Sequence, residues 1–262
     1  MKVRKILILV ISVVLLAAAG LLGVNTVFSV SFIDVSFFVS SDKAQEDSLK
    51  IRQSLETEYK GKNLLFVSQD DVRAFMDGYP YMKVVSVEKA YPATLKLSLE
   101  ERSERYAVCV VEEGNAVYYM TDEEGNVLAE RSVNENNVDN NPNFLIRGLT
   151  GGAAFSSDKN WRTVLTVCAA MDEAVGGVRT CLVGLEVFSP TSNEADAKFI
   201  VTTSEGVTIC IVHPQSLPRE KAEKAMEEYR KLDDGQKGRG YLIVTDDERE
   251  EGKISWNYTE SV

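Results

Sequence analysis

Residues 79–102, YPYMKVVSVEKAYPATLKLSLEER, decide how the first part of the chain folds. Leu95, Leu97 and Leu99 alternate with Lys96, Ser98 and Glu100. Side chains on a strand point to opposite faces in turn, so this spacing predicts a strand with one buried and one wet face. Val85 and Val87 sit in an earlier strand. Tyr91-Pro92 connects the two, because proline fixes its own φ and biases the residue before it towards extended backbone.

Working outward, residues 32–39 (FIDVSFFV) place Ile33, Val35, Phe37 and Val39 on one face of another strand. Ser41 and Asp42 start a helix whose stripe is Ala44, Ser48, Ile51, Leu55 and Tyr59, and Gly61 ends it. In GKNLLFVSQDDVRAFM, Ser68 and Asp71 form a capping box. Val72, Phe75, Met76 and Tyr79 then stripe a second, shorter helix, which Gly78 and Pro80 stop. The predicted order is strand, helix, helix, strand, strand, with both helices on one face of a three-stranded sheet.

That order resembles the POTRA module. The residues GKNLLFVSQDDV at 61–72, Pro80 followed by VVSVEKAYPATLKLSLEER at 84–102, and TDEEGNVL at 121–128 resemble the FtsQ/DivIB family of bacterial cell-division proteins. The likeness covers about residues 1–130 well and the rest more loosely. It implies a POTRA domain at 30–102 and a non-enzymatic scaffold at the division septum.

The N-terminus carries Lys2, Arg4 and Lys5, and residues 6–24 (ILILVISVVLLAAAGLLGV) contain no charge. A helix needs roughly 20 apolar residues to cross a membrane. Positive charge stays on the cytoplasmic side. The expectation is a cytoplasmic tail at 1–5, a single transmembrane anchor at 6–28 and the remainder outside. A cleaved signal peptide is the competing reading, since Ala17, Ala18 and Ala19 lie near the end of the run, although such apolar segments are usually about 7–15 residues.

The 262 residues are 44% hydrophobic and 26% charged, with a formal net charge of -11. Setting aside the three positive charges of the tail leaves -14 outside. Such a chain repels nucleic acid. Cys109, Cys168, Cys181 and Cys210 all fall in the outer part. Their count permits two disulfides, while their apolar neighbours (AVCVV, LTVCAA, TICIV) fit small buried residues.

Residues 103–262 predict a second, β-rich antiparallel domain with a C-terminal helix, so that the whole is α+β. YAVCVV, AVYYM and VLAE read as a meander, and residues 132–143 as a polar loop. WRTVLTVCAAMDEAV predicts a helix ended by Gly176-Gly177. CLVGLEVF, AKFIVTT and GVTICIVH predict three strands. Ser216 is expected to cap a helix with Pro218 at its first position and Ala222, Ala225, Met226, Tyr229 and Leu232 as its stripe. GYLIV and KISWNY predict two last strands.

Little in the sequence points to chemistry. The one histidine, His213, ends a strand before Pro214, the place of a turn histidine. The acidic TDDEREE lacks calcium-loop spacing, and the glycines of TGGAAF and VGGV lack a phosphate-loop lysine. No catalytic residue, cofactor or metal is expected. Binding is the remaining class: a sheet edge presents unpaired N–H and C=O groups that accept a further strand. The resemblance implies FtsL-like and FtsB/DivIC-like coiled-coil membrane partners, a link to the septal peptidoglycan synthesis machinery, and contact through Tyr229, Tyr241, Ile254, Trp256 and Tyr258. The alternatives are an exported POTRA-type chaperone or transport factor, or an anchored cell-wall enzyme.

Overall fold

The computed structural model describes residues 11, 13, 25–132, 144–189 and 197–260. Among these no helix is long and apolar enough to cross a membrane. The expected tail, the expected anchor apart from residues 11, 13 and 25–28, and nearly all of the polar loop at 132–143 lie outside the described residues. The chain divides into two compact units, one ending at Arg102 and the other beginning at Ser103.

The first unit contains strand β1 (Phe32–Phe38), helices α1 (Asp42–Tyr59) and α2 (Gln69–Met76), and strands β2 (Met82–Ala90) and β3 (Thr94–Glu101). β3 is central, parallel to β1 and antiparallel to β2. The alternation that predicts β3 is realised: Leu95, Leu97 and Leu99 are buried against Val35 of β1 and Ile51, Leu55, Val72 and Met76 of the helices. The Ser41 hydroxyl accepts from the Ala44 amide at 3.1 Å, and Ser68 and Asp71 complete a reciprocal capping box. Tyr59 ties the two helices by donating to the Asp71 carbonyl at 3.0 Å.

Val85 and Val87 both lie in β2, as expected, but on different faces. A bulge between Val84 and Ser86 shifts the register. Such an insertion re-aims the side chains beside it. Val84 and Val87 therefore pack inward while Val85 is 50% exposed.

The second unit is one nine-stranded sheet. Its strands are β4 (Tyr106–Glu112), β5 (Asn115–Thr121), β6 (Val127–Ser132), β7 (Phe144–Arg147), β8 (Leu182–Phe188), β9 (Lys198–Thr203), β10 (Thr208–Val212), β11 (Tyr241–Asp246) and β12 (Ile254–Thr259). The spatial order is β12-β11-β10-β9-β8-β7-β4-β5-β6. β4 and β5 form a two-residue hairpin through Glu113 (φ 49°) and Gly114 (φ 85°), the pair of positive φ values that suits the twist of the strands.

The expectation of an antiparallel domain is corrected here. β7 runs parallel to both β4 and β8, and β10 runs parallel to β11, so the sheet is mixed. The cause is the chain's path. It leaves the meander and returns with β7 in the middle of the sheet, and helices α3 (Trp161–Val175) and α4 (Pro218–Lys231) then make crossovers. Parallel neighbours need such long connections.

Both helices lie on one face. Phe155 of a 3₁₀ turn, Trp161, Val164, Cys168 and Met171 join Ala222, Ala225, Met226 and Tyr229 over Ile146, Leu185, Phe199, Ile209 and Leu242. All four cysteines are free thiols. Burial pushes the Cys168 thiol well above its ordinary pKa.

Candidate partner-binding edge

β12 is the last strand of the sheet and pairs with β11 alone, antiparallel, with Tyr258 opposite Leu242, Trp256 opposite Val244 and Ile254 opposite Asp246. Its other side is a sheet edge. The sequence Ile254–Thr259 (ISWNYT) contains no charge and no proline, the residues that ordinarily blunt an edge.

Ile254, Trp256 and Tyr258 share the helix-bearing face of the strand. Ile254 and Tyr258 are half-buried and pack on the main core. The Tyr258 hydroxyl donates to the Arg239 carbonyl at 3.1 Å, which ties the strand to the loop before β11. Trp256 lies at the middle of the strand and is 43% exposed. Tyr241 starts β11 and points to the opposite face of the sheet, partly open to solvent.

Tyr229 stands apart from these four. It is 3% exposed and sits in the core under α4. Its hydroxyl donates to Glu205, and Lys237 Nζ lies 5.3 Å from its ring centroid. Burial, then the hydrogen bond to Glu205, pushes its pKa up. Little of the ring is open to a partner. Tyr229 belongs to the apolar stripe that predicts the helix itself, which is the signal for its burial.

A polar lock behind the edge is not legible in the sequence. Lys221 of α4 is wholly buried, and its ammonium donates to Val212 O at 3.0 Å, His213 O at 2.8 Å and Asp246 Oδ2 at 2.8 Å. Asp246 is the last residue of β11, directly opposite Ile254. Ser216 donates to its other oxygen at 2.9 Å, and His213 Nδ1 lies 3.4 Å from Oδ2. Ser216 is therefore not the helix cap. The N-cap is Leu217, in left-handed backbone at φ 49°, with Pro218 following at the expected first position. Burial pushes the Lys221 pKa down, against the pull of Asp246. Burial raises the Asp246 carboxyl, but its hydrogen bonds from Lys221 and Ser216 outweigh this and lower it.

The acidic loop between β11 and β12 holds itself by backbone bonds, such as Asp247 N to Lys253 O at 2.8 Å. Among the described residues no group of three or more histidine, cysteine or carboxylate side chains is placed to hold a metal ion.

Residues 39–102 match the family model described as POTRA domain, FtsQ-type. No curated protein matches the chain. The matched span ends at the last residue of the first unit and includes the two helices, β2 and β3. It supports the likeness to the FtsQ/DivIB family carried by residues 61–72 and 84–102.

Proposed function

We propose that the protein is a non-enzymatic division scaffold held by one membrane anchor at residues 6–28. Its N-terminal tail is in the cytoplasm and both folded units are outside, at the septum. It binds small coiled-coil membrane proteins of the FtsL and FtsB/DivIC kind and links them to septal peptidoglycan synthesis. The observation that carries this reading is an FtsQ-type POTRA domain in the same chain as a sheet ending in an open, uncharged edge strand.

A partner strand laid along β12 satisfies its outer row of backbone groups, and side-chain pockets at alternate positions give selectivity. Trp256, at the middle of the edge and partly exposed, is the anchor. Aromatic residues of this kind carry a large share of binding energy. Ile254 and Tyr258 flank it on the same face, Tyr241 contributes from the neighbouring strand, and Tyr229 holds α4 against the sheet from within.

Purifying the tagged full-length chain from membranes, with mass identification of what accompanies it, tests the proposal. Small single-span proteins with heptad repeats are expected. Their absence, with the chain intact and folded, would overturn the proposed partners.

A further inference from the structure

We infer that the turn bearing Leu65 and Phe66 is a lipid contact that seats the first unit on the membrane surface; this rests on the anchor reading at residues 6–28.

The turn is tied to the first described residues after the apolar run. Asn63 Nδ2 donates to Asn25 Oδ1 at 2.9 Å, Leu64 N to Phe28 O at 2.7 Å, and Val30 N to Lys62 O at 2.8 Å. Residues 25–30 thus run beside residues 61–64. Asn25 immediately follows the uncharged stretch 6–24. Asn63 is thus a hydrogen bond away from Asn25, within the last four residues of the anchor read at 6–28.

Phe66 lies three residues beyond Asn63, and a chain covers at most about 3.6 Å per residue. Its backbone therefore lies within roughly 11 Å of that of Asn63, and Phe66 N donates to Asn63 O at 3.0 Å. The headgroup layer on each side of a bilayer is about 5–8 Å deep. The two lengths are comparable, which is the ground for placing the turn at the layer.

The composition of the patch fits lipid rather than water. Phe66 is 81% exposed, and its neighbour Leu65, together with Val27 and Tyr91, is exposed as well. Tyr91 packs edge-on against Phe28, with centroids 5.9 Å apart. Single exposed apolar residues are ordinary, but here four fall on the paired segments 25–30 and 61–66 and on Tyr91, which packs on Phe28. Lysines border them. Lys60 and Lys62 flank Gly61, and Lys89 Nζ donates to Leu65 O at 3.0 Å. Glu58 pairs with Lys62, which leaves the other two as the positive rim. Aromatic rings and lysines at headgroup depth are the arrangement that interfacial anchors take.

The full-length chain carrying Phe66→Trp, reconstituted in phosphatidylethanolamine and phosphatidylglycerol vesicles, tests this. Emission is read as the increment over the unsubstituted chain, which has Trp161 and Trp256 as background. Lipids brominated on the acyl carbons nearest the glycerol are expected to quench the increment about two-fold, since those bromines border the headgroup layer. Leu49→Trp is the control, because Leu49 lies ten residues before Tyr59 on α1, about 15 Å along the helix, and its increment is expected to be unquenched. An unquenched Phe66→Trp increment overturns the inference, whether the emission is that of water or is blue-shifted by a covering protein. Extraction of the unsubstituted chain by alkaline carbonate instead overturns the anchor, and the inference falls with it.

Discussion

The ammonium of Lys221 lies 2.8 Å from Oδ2 of Asp246, with the lysine side chain wholly out of solvent and the aspartate side chain 34% exposed. This contact joins α4 to the end of β11, the strand on which the open edge rests. The same ammonium takes up two carbonyls at the end of β10, so one side chain fixes three elements at the rim of the sheet.

Lys221→Met keeps the apolar stem and removes the cation. Breaking a fully buried pair from one side costs about 3–5 kcal/mol. Asp246 keeps part of its hydration, so the expected loss is about 2–3 kcal/mol, read as a lower urea midpoint at unchanged slope. Lys253→Met removes the lysine of an exposed ion pair with Glu250 and is expected to cost under about 1 kcal/mol. Equal effects of the two changes would contradict the lock.

In the first unit, the Glu101 carboxylate accepts from the Ser40 amide at 2.7 Å and the Ser41 amide at 3.0 Å, and from both hydroxyls. Burial raises its pKa, but these hydrogen bonds outweigh that and hold it at about 2, below the ordinary 4.5. The folded value is the lower one. The contribution is therefore complete above about pH 4.5 and lost as pH falls towards about 2. A fragment of residues 25–102 is expected to fold alone, because its two helices and three strands bury their stripes on each other. Its thermal midpoint should fall across that acid window, and Glu101→Gln should flatten the fall. A fragment without helical circular dichroism, or an unchanged pH profile for Glu101→Gln, would contradict this.

Trp256→Ala separates an edge anchor from a core residue. An interface aromatic costs about 2 kcal/mol in binding when truncated, close to 30-fold. A buried aromatic costs about 3–5 kcal/mol of stability. With 43% of the side chain exposed, partner capture is expected to weaken by tens of fold while the midpoint moves little. A sharp fall in the midpoint would assign the residue to the core.

Gly240 precedes β11 at φ +87°, and a Cβ there would meet Thr259 O at 2.6 Å and the Tyr258 hydroxyl at 2.9 Å. Gly240→Ala is expected to displace β12 as well as to strain the turn, since left-handed backbone costs a side chain about 1–2 kcal/mol. Both stability and partner capture should fall. Gly61→Ala, at φ +87° with open space around it, should meet only the backbone cost.

The first unit is legible in the sequence because its signals are local. Ser41, Ser68 and Asp71 cap helices within four residues of themselves, and the leucines of β3 alternate without interruption. The outward turn of Val85 is not legible, because a bulge leaves no mark in a run of valines. In the second unit most elements are legible but their neighbours are not. The four residues of β7 are too short for periodicity, and they set three strands parallel. Lys221 precedes Ala222 on the helix, and nothing nearby reveals that Asp246, twenty-five residues on, draws its ammonium inside. At the edge, alternation places Ile254, Trp256 and Tyr258 on one face, while the packing of Ile254 and Tyr258, but not Trp256, on the core depends on distant residues.

Hydrogen exchange of the β12 amides, in the full-length chain with and without a co-purified FtsB/DivIC-like partner, tests the central claim most directly. Strand addition places new hydrogen bonds on the outer row of Ile254–Thr259. The amides pointing away from β11 should therefore slow at least about ten-fold, one hydrogen bond's net worth or more. Unchanged exchange along β12 in a complex that has formed would show that the partner binds elsewhere.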